Sequence, residues 1–318
     1  MTTLAAMRPA YGDALVQLGR DRDDVVVLSA DVSNSDFSFR FAEAFPDRFI
    51  NVGIAEQSLV DVAVGVALTG KVAIANTFAF LFATRALEMV RTHLCYGGVP
   101  VKLMGAYGGV SDSFDGPTHH AITDIAIMRS LPGMTIVVPA DAMAVAKLLP
   151  QVAAWPGPVY MRLNRNEVPV LFGDDYAPRI GQAIVLRPGS DVTLVGTGLM
   201  VGRCLEAAET LAGEGLEARV VEVHTVKPLD SETIITAARE TGALVTAEEH
   251  SIIGGLGGAV TEVLAATCPV PVERVGIADR FGTTGPYDEL LALLGLAVGD
   301  IVSAAHRAVE LKQGRAGE

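Results

Sequence analysis

At 318 residues, half of them hydrophobic and only 19% charged, the chain has the size of two ordinary domains and the composition of a folded protein. Its net charge of −13 comes without any Lys/Arg cluster, which argues against a nucleic-acid partner. No uninterrupted apolar stretch reaches the ~18 residues of a membrane span. The N-terminal segment lacks a signal-peptide pattern, and Cys95, Cys204 and Cys268 are dispersed, so reduced thiols and a cytoplasmic location are expected.

In chain order, short β-branched runs at Asp24–Ser29, Val72–Ala75, Pro100–Met104, Thr135–Val138 and Val159–Leu163 read as strands. Between the first two, Leu59, Val62, Ala63, Val66 and Ala67 recur at i, i+3, i+4, i+7 and i+8, one apolar helical face. Strands alternating with helices predict parallel sheets covered on both sides. Residues 164–189 carry Pro169, Gly173, Pro178, Gly181, Pro188 and Gly189 without helical period, which places a linker at 166–189. Beyond it, Asp191–Val195, Ala218–Val223, Ala243–Ala247 and Val270–Val275 form a second series, and the tail from Gly314 is expected to fray. The expectation is an α/β protein of two doubly wound domains, 1–165 and 190–318.

Gly196, Gly198 and Gly202 follow a predicted strand and precede a helix, with Glu222 about twenty residues on, which is the setting of a dinucleotide fingerprint. The spacing is one residue too long, so a structural turn is preferred. Gly254, Gly255, Gly257 and Gly258 are read as structural too. Glu56 opens the apolar helix, where the macrodipole favours an acid whatever its chemistry. Phe78 and Phe82, four apart, put two rings on one helical face, either as a core stripe or as a platform. The polar segment from Ser111 to His120 joins a strand to a helix, where α/β proteins place ligands. In it Asp115 and His119 are four apart across a Gly-Pro turn; the pair can orient an imidazole for acid–base work, or Asp115 can simply form the turn. The two adjacent histidines lack the further ligands of a zinc site.

Glu56-Gln57 at a helix start, Thr77-Phe78 with further aromatics after the next strand, and the DGPTH run at 115–119 ahead of LPGMTIVVPAD together resemble the transketolase family of thiamine-diphosphate enzymes. The order matches its pyrimidine-binding domain. KPLD and EEHSIIGGLGGAV in the second half are similar to its C-terminal domain. The family's diphosphate domain carries a GDG motif that this sequence lacks. The resemblance therefore implies the second subunit of a split transketolase, binding cofactor and Mg²⁺ with a diphosphate-binding partner, in a two-plus-two assembly. It implies Glu56 at the aminopyrimidine ring, Phe78 and Phe82 packed on that ring, and His119 and Asp115 at the sugar hydroxyls. Arg8, Ser35 and Arg165 would lie at the sugar phosphate, where forked guanidinium donors suit an oxyanion.

The sequence departs from the family in three places. Tyr107 stands where many members have a phosphate-binding His, Ser111 to Phe114 replace a glycine-rich run, and His120 replaces a Gln. Extra acidic residues there would repel a sugar phosphate, which points to an unusual ketose or one less dependent on its terminal phosphate. Rival readings are the β subunit of a 2-oxo acid dehydrogenase decarboxylase, a 1-deoxyxylulose-5-phosphate synthase-like carboligase, a non-catalytic scaffold subunit, and a nicotinamide-binding module on Gly196–Gly202.

Overall fold

The computed structural model describes residues 3–316. Fourteen strands follow in chain order: β1 (Leu4–Ala6), β2 (Val25–Ser29), β3 (Phe49–Asn51), β4 (Val72–Phe78), β5 (Lys102–Ala106), β6 (Thr135–Val137), β7 (Val159–Arg162), β8 (Glu167–Pro169), β9 (Ile184–Arg187), β10 (Val192–Gly196), β11 (Ala218–Glu222), β12 (Thr225–Lys227), β13 (Leu244–Ser251) and β14 (Val272–Ile277). They build a seven-stranded sheet in the order β12-β6-β7-β5-β4-β2-β3, a five-stranded sheet in the order β14-β13-β10-β11-β9, and the pair β1-β8. The nine strands expected from sequence all form, with ends shifted by a few residues.

Both large sheets are parallel except at one edge, where β12 and β9 run antiparallel to β6 and β11. Parallel strands connected by helices must be covered on both faces, and apolar cores lie on each side of each sheet. Over the first sheet, helices Met7–Asp21 and Ala142–Ala154 pack on one face and helix Glu56–Leu68 on the other. In that last helix Leu59, Ala63 and Ala67 point inward as the periodicity requires; Val60 joins them, while Val62 is exposed. Tyr287–Gly314 has the length and apolar content of a membrane span. Its chain breaks at Gly295 (φ +80°), and Leu290, Leu291, Leu294, Ile301, Ala304 and Ala308 fill the second domain's core instead.

Three parts of the chain differ from expectation. Segment 166–189 is more than a connector: β8 pairs with β1, and β9 supplies an edge of the second sheet. β12 crosses back to edge the first sheet, so the two units share a strand. The tail from Gly314 is helical as far as Ala316, and Gly317 and Glu318 lie outside the described residues.

Two of the three glycines of the apparent dinucleotide fingerprint have structural reasons, Gly198 its φ of +58° and Gly196 its close packing. A Cβ on Gly196 would come within 3.0 Å of Val201 Cα, so this glycine lets helix Met200–Gly213 turn tightly off β10. Glu222, at the end of β11, is buried, with Oε1 accepting from Tyr176 Oη at 2.8 Å and Oε2 unpartnered. Burial pushes its carboxyl up from 4.5 to about 8. A raised acid binds its proton more tightly in the folded state, so the stability it contributes is whole below the unfolded value near 4.5. That stability is lost as pH rises through about 8. Glu222→Gln keeps an acceptor for Tyr176 without the charge. Thermal melts should show it close to wild type near pH 5 and more stable by several degrees near pH 9; a pH-independent difference would contradict this account.

Candidate active site

The carboxyl ends of parallel strands form the crevice where ligands bind in open α/β sheets, and the implied site residues gather there. β4 and β5 pair in a register that sets Phe78 opposite Ala106. Tyr107, one residue on, therefore meets the Phe78 ring, stacked at 4.8 Å between centroids. Phe78 is in turn stacked with Phe80 at 6.4 Å, and His119 meets the Phe80 ring edge-on at 5.2 Å. Phe78, Phe80 and His119, with Ala30, Val32, Ser35, Ile54, Glu56 and Arg85, line a cleft of about 480 Å³.

Glu56 is the first residue of helix Glu56–Leu68 and is 2% exposed. The helix dipole favours its charge there, yet Oε2 has no hydrogen-bond partner. The nearest cation, Arg85, is 3.7 Å away and mostly exposed. A buried carboxylate oxygen without a partner is costly and is expected where a ligand completes the site. With a flat aromatic wall opposite, this opening fits the aminopyrimidine of thiamine diphosphate, which offers a ring nitrogen and π faces. Among the described residues, no group of three or more His, Cys, Asp or Glu is placed to hold a metal ion.

Phe82 lies elsewhere, and the placement expected of it is corrected. Phe78 ends a strand and Phe82 sits in the short helix Ala79–Ala83, so the spacing of four does not set the two rings on one face. Phe82 is fully buried in the core beneath the cleft, and Phe80 takes the exposed place. Asp115 also departs from its expected role toward the imidazole. It is exposed on the turn made by Gly116 (φ +82°), and His119 Nδ1 is within 3.0 Å of Thr118 Oγ1 instead.

A second cluster adjoins the aromatic stack. The antiparallel β1-β8 register sets Ala6 opposite Glu167, so two residues further on Arg8 approaches Arg165. Arg8 Nε donates to the Arg165 carbonyl at 3.1 Å, and Nη1 donates to the Ser35 carbonyl at 2.5 Å and to Tyr107 Oη at 3.2 Å. Both guanidiniums lie over the Tyr107 ring, at 5.2 and 4.9 Å, a favourable placement for a cation. Arg8, Ser35 and Arg165 are thus together; Asp115 is not in that hydrogen-bonded cluster. Its acid is Asp112, fully buried and ion-paired with Arg165. Burial raises the Asp112 pKa, and Arg165 acts against that shift. Sequence reasoning misses Asp112, Phe80 and Arg85. Asp112 leaves a trace as an acid in place of the glycine-rich run, and Phe80 as one of the aromatics that follow Phe78.

Two domains in tandem, with a buried carboxylate oxygen that lacks a hydrogen bond and an aromatic wall at the strand ends of the first, define a cofactor-binding α/β protein. Comparison with known proteins narrows the class. The family description "Transketolase, pyrimidine binding domain" matches residues 4–170 and "Transketolase, C-terminal domain" matches residues 181–301. The chain is 41% identical over 309 residues to a 6-deoxy-6-sulfo-D-fructose transketolase subunit of Clostridium sp. (strain MSTE9), covering 97% of this chain and 96% of that protein. It is 38% identical to one of the apulose-4-phosphate transketolase subunits of Phocaeicola vulgatus, with 92% and 94% covered. A solved structure described as a split gene transketolase, inactive beta4 tetramer, superposes with a TM-score of 0.89 at 46% identity, covering 96% of this chain and 99% of that one. The chain belongs to the transketolase family of thiamine-diphosphate-dependent enzymes and corresponds in extent to the second subunit of its split members.

The different environments of the two phenylalanines are testable. Phe82→Ala should cost about 3–5 kcal/mol in denaturant unfolding, the range for a buried ring. Phe78→Ala, at a partly exposed position, should cost far less. Equal losses would contradict the assignment of Phe82 to the core.

Proposed function

We propose that this chain is the pyrimidine-binding subunit of a split transketolase that moves a two-carbon ketol unit from a ketose to an aldose. The observation that carries the reading is the buried Glu56 carboxylate with an unpartnered oxygen facing an aromatic cleft. When bound, thiamine diphosphate supplies the electron sink that lets the donor's carbon–carbon bond break. Glu56 would hold a proton at the pyrimidine ring nitrogen N1′, and Phe78 would pack on the ring. His119, at the cleft wall, would bind or shuttle a proton at the donor's hydroxyls. Arg8 and Arg165 would bind the far end of the sugar.

The diphosphate and Mg²⁺ would be held mainly by the partner, since the sequence lacks the GDG motif. The two related subunits named above, and the description of the related structure as an inactive assembly of one chain type, support a two-plus-two complex with a diphosphate-binding subunit. The named substrates of those subunits, 6-deoxy-6-sulfo-D-fructose and apulose 4-phosphate, support a ketose substrate.

Calorimetric titration of thiamine diphosphate with Mg²⁺ should give no saturable binding to the chain alone and saturable binding to its mixture with the partner. Tight binding by the chain alone would overturn the split-site reading. In the complex, Glu56→Ala should lower kcat by at least about 100-fold, the scale of a lost acid–base group, without changing assembly by light scattering. Unchanged turnover would instead favour a scaffold subunit.

A further inference from the structure

We infer that the Arg8–Arg165 cradle is built for a singly charged terminal oxyanion, and that buried Asp112 is the residue that sets this preference. The inference rests on the transketolase reading above and concerns the donor sugar's far end. Arg8 spends Nε and Nη1 on the Arg165 carbonyl, the Ser35 carbonyl and Tyr107 Oη, leaving Nη2 without a protein acceptor. Arg165 is two-thirds buried, and its Nη1 is committed to Asp112. The cradle therefore holds two guanidiniums, but one of their charges is already cancelled by a carboxylate that water cannot reach.

The remaining groups around it reduce the charge further. Asp36, fully buried on the helix Ser33–Asp36, faces Arg8 and leaves its Oδ2 unpartnered. Burial raises it to about 7, so it is partly ionised at neutral pH. Asp115 faces Asp112 from the exposed turn. Tyr107 adds a hydroxyl that accepts from Arg8, and His119 stands off at the Phe80 ring. A phosphate monoester carries about −1.5 to −2 at pH 7 and would leave negative charge uncompensated beside Asp112. A sulfonate or carboxylate brings a single charge and matches the cradle. Forked guanidinium donors bind either group, so geometry does not discriminate between them; charge does.

The complex reconstituted with its partner, thiamine diphosphate and Mg²⁺ is assayed with three donors: 6-deoxy-6-sulfofructose, fructose 6-phosphate and uncharged fructose. Near pH 7.5 the sulfonate should be favoured over the phosphate by at least about 10-fold in kcat/KM, as like-charge juxtaposition requires. Asp112→Asn, nearly isosteric, should shift that ratio about 10-fold toward the phosphate through KM. A second readout needs no variant. Lowering pH to about 5.5 brings the phosphate to a single charge, its second pKa being near 6, and neutralises Asp36, so the wild-type ratio should contract toward one. A wild-type preference for phosphate would overturn the inference. A ratio unmoved by both Asp112→Asn and pH would overturn it as well. If fructose is turned over and neither charged donor is, the inference fails while the proposed function stands. If no donor is turned over, the proposed function fails and takes the inference with it.

Discussion

The arrangement depends on one buried cation. Arg162, at the end of β7, is 5% exposed, and its Nε lies 2.9 Å from Asp124 Oδ2 in a fully buried ion pair. Its Nη2 donates to the carbonyls of Ala121 and Glu249, both at 2.9 Å. Tyr160 Oη donates to the same Asp124 oxygen at 2.6 Å. A charge removed from water is tolerated only when its donors and acceptors are met, so this group dictates where three pieces of chain must lie. They are the strand that carries it, the segment from Gly108 to Ala121, and β13 of the second domain. Glu249 completes the junction: Oε1 accepts from the Val110 amide at 2.8 Å and Oε2 from Asn164 Nδ2 at 3.1 Å. Burial lifts the Glu249 carboxyl to about 7, against the pull of Arg162. A methyl group on Gly109 would overlap it, which is why a glycine with φ +65° is required at that point.

The site inherits its rigidity from that junction. Asn166 Nδ2 donates to the Ser111 carbonyl at 2.8 Å, and the Arg165 amide donates to Ser111 Oγ at 3.2 Å. The strand-end segment that leads to His119 is thus laced to the one carrying Arg165 before any ligand arrives. Preorganised groups lose little entropy on binding. The aromatic stack from Phe80 through Phe78 to Tyr107 then serves two neighbours at once. One end walls the cleft over Glu56 and the other supports the two guanidiniums.

Much of this is legible in the sequence. A buried parallel strand announces itself as an apolar, β-branched-rich run, and each of the nine expected ones does. What stays hidden depends on neighbours distant in the chain. β1, β3, β8, β9 and β12 are edge strands of three or four residues and lack the apolar run of an interior strand. A helical spacing sets Phe82 beside Phe78 only if the helix begins before Phe78; it begins after it. Asp112 reads as a loop acid until β1-β8 pairing brings Arg165 to it. Glu56, His119, Arg8 and Arg165 stand out through the family resemblance, which rests on residue type and order and needs no knowledge of the fold.

The strand β12 has a consequence for how the molecule comes into being. The first sheet is closed on its β6 edge by residues 225–227, far downstream of β7 and beyond β10 and β11 of the second sheet. During synthesis from the N-terminus, the first domain must wait with that edge unpaired until much of the second has emerged. An open edge invites pairing with another chain. The three-residue length of β6 keeps that invitation small, and neither half of the gene encodes a self-sufficient sheet for the first domain.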